Sequence, residues 1–282
     1  MRAIFLFIDG VGLSPPAPDN PVNPEVCPTL CRLMERHAVP IDVCLAVQGL
    51  PQSATGQATM FTGANASVFM GRHCEGFPGP NLRKLIEKDN LFLQLKAKGK
   101  KVRFADAYLV QDVDELALRR FKSVTTVMAL TMPETIATAD DLADDQAVMH
   151  DLTRDVAQDR YPDIPTVTPE DAAQHLFLIA QTCDFTLFEF FQTDVAGHTM
   201  DYDRACRVLR TYDRFLSTLL RYVEAAGFTL IMTADHGNIE AMNVRTHTRN
   251  PVPFIAFGPH EAELRASVKS LVDVTPAVMK LF

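Results

Sequence analysis

A chain of 282 residues, 47% hydrophobic and 22% charged, can bury a large core and leaves no room for extensive disorder. Its formal net charge of −8, with no Lys/Arg-rich stretch, excludes the electrostatic footprint of a nucleic-acid binder, so an anionic substrate must be attracted by local cations. No run approaches the ~20 apolar residues of a membrane-crossing helix, and the six cysteines show neither paired CxxC spacing nor disulfide-scaffold density, which points to a reducing, cytoplasmic setting.

In chain order, MRAIFLFIDG carries a basic residue before an apolar run that is too short for a signal-peptide core and stops at Asp9. It is predicted as a buried first strand over residues 3–8. Cys27 and Cys31 have no second Cys/His pair to complete a metal site and are expected to be structural thiols. Residues 80–98 have helical spacing, and 102–105 form the next strand candidate. Residues 110–165 resist this rhythm, gathering Asp140, Asp141, Asp144, Asp145, Asp151, Asp155 and Asp159, and are expected to be a small lid or insertion. Thr168 followed by Pro169, Glu170 and Asp171 marks a helix start. Strand candidates at 185–191, 229–232 and 252–257 flank an apolar helical repeat over 202–225. The alternation implies an α/β fold with a mostly parallel central sheet and helices on both faces, in one domain over 1–282.

In such a sheet, functional groups gather beyond the carboxyl ends of the strands. Asp9, Asp194 and Asp235 each follow a strongly apolar run and so share one rim, where like charges need protons or cations between them. Histidines lie nearby: His198 follows Asp194 in DVAGH, His236 follows Asp235 in TADHGN, and His247 stands in THTRNPVPFI before a strand. Three Asp and three His make an oxygen and nitrogen donor set suited to zinc or manganese and too nitrogen-rich for calcium. In LPQSATGQATMFTG, small residues lead into a helical pattern and put Ser53 near a helix N-terminus, where backbone N–H groups favour a phosphoryl group. A serine there can be an ordinary N-cap. Beside metals it can be an activated nucleophile, with Thr55 as its rival.

Together these residues resemble the alkaline phosphatase superfamily, most closely the metal-binding domain of cofactor-independent phosphoglycerate mutase and its phosphopentomutase relatives. TADHGN, HTRNPVPFI, DVAGH and FIDGVG match that pattern in order, and counting back from Gly63 puts Ser53 in the nucleophile position. The resemblance implies that Asp194, His198 and His247 hold one divalent metal, while Asp9, Asp235, His236 and Ser53 surround a second. It also implies in-line displacement through a phosphoseryl intermediate. Two departures matter. Gln57 stands where the mutase motif has His, and residues 74–165 cannot hold the mutase's large inserted domain, which shields its intermediate from water.

Hydrolysis of a small phosphorylated substrate is therefore the leading expectation. A phosphomutase is the alternative, and an inactive metal- or partner-binding protein a further one. Sulfatases are disfavoured because their Cys/Ser-x-Pro-x-Arg signature is absent. Candidate substrate contacts are Arg72, His73 and Arg249, with Arg119, Arg120 and Lys122 in the lid region.

Overall fold

The computed structural model, which describes residues 1–282, contains six strands: β1 (Ala3–Ile8), β2 (Ala38–Ile41), β3 (Val102–Phe104), β4 (Phe185–Phe190), β5 (Thr229–Thr233) and β6 (Val252–Phe257). They form one sheet in the order β2-β6-β5-β1-β4-β3. The four strands β5, β1, β4 and β3 run parallel, while β6 is antiparallel to β5 and β2 antiparallel to β6. Every residue of β1, β4 and β5 is buried, which is why these segments read as continuous apolar runs without alternation.

Helices cover both faces, as the rhythm of the sequence implies. The long helix Tyr202–Ala226 packs on Pro169–Ala180 and Pro28–His37, and Ser53–Thr62 packs on Pro80–Lys88, Val124–Leu130 and Val274–Met279. The start at Thr168 carries a full capping box, in which Thr168 and Asp171 satisfy each other's backbone N–H groups. No helix is long and apolar enough to cross a membrane. All six cysteines are free.

Residues 110–165 divide between two packing environments. Val124, Val127, Met128 and Ala129 sit in the main core, whereas Ala137, Leu142, Met149 and Ile164 belong to a second, small apolar cluster. Buried Arg154 anchors that cluster through an ion pair with Asp145 at 2.6 Å.

The helical stretch expected over 80–98 is two helices, Pro80–Lys88 and Leu91–Ala97. Asn90 causes the break. Fully buried, it accepts the N–H groups of Phe92 and Leu93 and donates its amide to Ile86 O at 2.9 Å and Thr131 Oγ1 at 3.1 Å. Removing that side chain takes a partner from Phe92 N, Leu93 N and Ile86 O, while Thr131 Oγ1 keeps Met128 O. Asn90→Ala should therefore cost about 2–3 kcal/mol in urea unfolding. A midpoint and slope equal to those of the parent would refute the role of Asn90 as a buried cap.

Candidate metal centre

The sheet order explains how distant residues meet. Strands β5, β1 and β4 are neighbours and parallel, so Asp235, Asp9 and Asp194, each just beyond a carboxyl end, emerge at one rim. Because β6 runs the opposite way, its start lies at that same rim and delivers His247. Asp194 and His198 stand one turn apart on the helix Gln192–Thr199. Gly10, with φ +72°, lets the chain turn sharply after Asp9; a Cβ there would come within 2.8 Å of Asp194 Oδ1.

Asp194, His198 and His247 converge. His198 Nε2 lies 3.3 Å from Asp194 Oδ2, His247 Nε2 lies 3.6 Å from Asp194 Oδ1, and the two Nε2 atoms are 3.1 Å apart. Each Nδ1 approaches a backbone carbonyl, Arg245 O at 2.8 Å and Pro51 O at 2.9 Å. Since a carbonyl only accepts, each Nδ1 carries a proton; without a cation His198 Nε2 carries one as well, donated to Asp194, and its loss would leave the two Nε2 lone pairs facing one point. Burial would raise the Asp194 carboxyl, but hydrogen bonding from His198 and the nearby His236 and Asn238 hold it down at about 2. The bond to Asp194 raises His198, while burial and the charge of His236 lower His247. Two facing lone pairs and an ionised carboxylate fit a divalent cation, with the carbonyl-bound Nδ1–H groups fixing both rings.

A second group joins it. Asp9, Asp194 and His236 bring ligand atoms within 4.8 Å of one another, so Asp194 serves both groups. His236 Nε2 lies 2.9 Å from Ser53 Oγ, 3.4 Å from Asp9 Oδ1 and 3.5 Å from Asp235 Oδ2. Gln57 spans the two carboxylates, its Nε2 donating to Asp9 Oδ2 at 3.3 Å and to Asp235 Oδ2 at 3.1 Å. Even so, Asp9 Oδ1 and Asp235 Oδ1 are buried without a hydrogen-bond partner. Burial, then the charges of Asp235 and Asp194, push the Asp9 carboxyl well above its usual range. Unpaired buried carboxylate oxygens beside an imidazole fit a cation here as well. The rings of His236 and His247 stack at 3.6 Å, linking the groups.

Ser53 and Thr55 separate clearly. Ser53 begins the helix Ser53–Thr62 and faces His236, and its N-cap, Gln52, supplies no side-chain cap. Thr55 is fully buried, and its hydroxyl accepts the Cys74 N–H at 3.1 Å. Among the candidate substrate contacts, His73 has both ring nitrogens engaged, with Ser67 and Val47 O, and Arg249 clamps Gly49 O through Nε and one terminal nitrogen. Arg72 is exposed just beyond the short helix Ala66–Met70.

Three acids and an amide escaped the sequence reading. Buried Glu240 accepts from Gly12 N, Asn238 N, Thr248 Oγ1 and Asn250 Nδ2, tying together the loops that carry Asp9, His236 and His247. Asn238 donates to Asp194 Oδ1 at 2.6 Å. On β4, Glu189 accepts from Thr125 Oγ1, while Asp106 Oδ2 accepts the Glu189 N–H at 2.8 Å. Burial lifts Glu189 from 4.5 to about 7, and burial with the Glu189 charge lifts Asp106 well above its usual range. A glutamate inside the apolar run FTLFEF was the available signal.

The family described as the Metalloenzyme superfamily matches residues 1–282. A 2,3-bisphosphoglycerate-independent phosphoglycerate mutase of Nitrosococcus oceani is 36% identical over 105 residues, which cover 35% of this chain and 20% of that relative, so the chain aligns with about a fifth of its length. Among solved structures, a cold-active alkaline phosphatase from a psychrophilic Shewanella has a TM-score of 0.62 at 14% identity, covering 100% of this chain and 99% of that one. A Leishmania mexicana phosphoglycerate mutase, solved at low cobalt concentration, has a TM-score of 0.54 at 11% identity, covering 99% and 95%. The structural likenesses show a shared alkaline phosphatase-like fold.

Glu189 gives a pH test. A carboxyl whose folded-state pKa is raised stabilises the fold fully below 4.5 and loses that contribution as pH rises through about 7. In chelator, Glu189→Gln should gain on the order of 3 kcal/mol relative to the parent between pH 5 and pH 8. Parallel thermal-unfolding curves across that window would exclude an uncharged, buried Glu189.

Proposed function

The chain belongs to the Metalloenzyme superfamily, which it matches over residues 1–282, and from that membership we propose a phosphoric-ester hydrolase that uses two divalent cations, manganese or zinc, with Ser53 as nucleophile. The observation that carries the reading is the 2.9 Å approach of Ser53 Oγ to His236 Nε2, at a helix N-terminus and beside two convergent ligand groups. Asp194, His198 and His247 would hold one ion; Asp9, Asp235, His236 and Ser53 would surround the other, with Asp194 close to both. Cations held there would lower the pKa of the Ser53 hydroxyl and offset negative charge during phosphoryl transfer.

The chain's own residues do the rest. The N–H groups of Ser53 and Ala54 at the start of the helix favour the phosphoryl oxygens, Thr55 N being engaged by Cys74 O. Ser53 Oγ loses its proton to solvent, since His236 Nε2 would be engaged as a ligand in the loaded centre. Oγ bonds to phosphorus as the ester P–O bond breaks, and the departing alkoxide takes a proton from water. A water molecule then attacks phosphorus, the Oγ–P bond breaks, and inorganic phosphate leaves. Ester and water have become alcohol and phosphate.

Exposure favours water as the second acceptor. The His198 side chain is 43% exposed, so one flank of the centre faces solvent. The mutase relative and the shared TADHGN motif support a second reading, phosphoryl return to another oxygen of the same metabolite. A positional isomer formed in place of free phosphate would select it.

Substitutions separate ligand from nucleophile. Asp235→Asn and His236→Ala should lower bound metal, measured by elemental analysis, together with phosphate release; unchanged stoichiometry contradicts the ligand roles. Ser53→Ala should keep both metals and lose at least about 100-fold in turnover. Retained turnover would hand the nucleophile's role to another oxygen.

A further inference from the structure

The chain has 18 phenylalanines, and those among its exposed large apolar side chains are Phe69, Phe77 and Phe121. Two of them form a pair: the rings of Phe77 and Phe121, 55% and 60% exposed, lie 5.5 Å apart at 36°. The Arg120 guanidinium stacks on Phe121 at 5.2 Å. Exposed aromatic rings with free faces are unfavourable in water unless something covers them.

Their position relative to the nucleophile is fixed by hydrogen bonds. Thr55 N donates to Cys74 O, and Cys74 N donates back to Thr55 Oγ1, so the loop carrying Arg72 to Phe77 is pinned to the first turn of the Ser53 helix. Arg83 then acts as a strut. Its Nε donates to Pro78 O and a terminal nitrogen to Arg120 O, both at 2.9 Å, holding the Phe121 segment against the Phe77 segment. Phe77 also lines a cavity of about 330 Å³, together with Gln52, Met70, Arg72 and Leu82 and with Glu75 as its one carboxylate, and Phe121 joins this wall through its contact with Phe77. Gln52 is the residue immediately before Ser53.

We propose that this cavity and the Phe77/Phe121 pair form the leaving-group pocket, and that the substrate class is phosphomonoesters whose alcohol carries an aromatic ring. The proposal rests on the hydrolase reading above. A three-carbon alcohol would leave most of the cavity to water, whereas a ring fills it and packs against Phe77, which Phe121 backs. Arg72, the arginine in the lining, offers a cation to the oxygens of a dianionic ester in a chain of net charge −8. Pinned loops and a strut mean that the ring faces are in place before the ligand arrives, which lowers the ordering cost of binding.

The test compares 2-phenylethyl phosphate with ethyl phosphate, esters whose leaving alcohols are close in acidity, so the ring rather than bond reactivity is read. With manganese-loaded enzyme, kcat/KM should favour the phenylethyl ester by about tenfold, and in Phe77→Ala/Phe121→Ala that ratio should fall to about one. Both rings are exposed, so the double variant leaves the core intact. In parallel, calorimetry on manganese-loaded Ser53→Ala should show 2-phenylethylphosphonate binding about tenfold tighter than ethylphosphonate, with the difference lost on removing the two rings. Equal kcat/KM for the two esters with equal phosphonate affinities would overturn the pocket and leave the hydrolase standing. Ring-dependent phosphonate binding without phosphate release from either ester would sink the hydrolase and keep the pocket. A double variant that changes only the oligomeric state would identify the face as a contact between copies and overturn the proposal.

Discussion

Like charges brought together at the ends of adjacent strands are the constraint on which the rest of the structure depends. Strands β5, β1 and β4 lie side by side and parallel, so the carboxylates that follow them cannot avoid one another. The surroundings are organised around that conflict. Gln57 spends one amide group on two carboxylates, Asn238 holds Asp194, and two histidines are locked by backbone carbonyls so that their lone pairs add to the same point. An arrangement with unpaired oxygens on Asp9 and Asp235 is costly unless a cation completes it.

The support beneath this centre is itself polar and buried. Glu240 gathers four donors from three loops and so holds Gly12, Asn238, Thr248 and Asn250 in one place. A second acid pair, Glu189 and Asp106, is buried at β4 and the end of β3, and Thr125 closes it from the helix Val124–Leu130. That helix lies within residues 110–165, so this interval contributes both to the main core and to a separate apolar cluster.

Much of this was legible in the amino-acid order. Buried parallel strands must be apolar on both faces, so AIFLFI, FTLFEF and TLIMT stand out, and a carboxylate at the end of each is conspicuous for the same reason. Motifs joining Asp to His did the rest. What stayed hidden has physical causes. Strand β2 is four residues long and lies at the sheet edge, with Pro40 opposite Pro253, where neither ring nitrogen can donate; nothing in AVPI announces it. The split at Asn90 is made by contacts to Ile86 and Thr131, one close in sequence and one distant. His73 and Arg249 are the right residue types for phosphate, but their polar atoms hold Val47 and Gly49, and residue type cannot reveal an acceptor supplied by another segment.

The shared position of Asp194 sets the order of events. Three carboxylates give the bare centre a negative field, and a phosphate dianion approaching it meets repulsion. On the proposed loading, two divalent cations leave that site with one net positive charge, and the field at the mouth changes sign. With Asp194 common to both candidate ligand groups, neither position would fill without altering its neighbour. Metal and substrate would then enter in a compulsory sequence, the ions as a coupled pair first and the ester second.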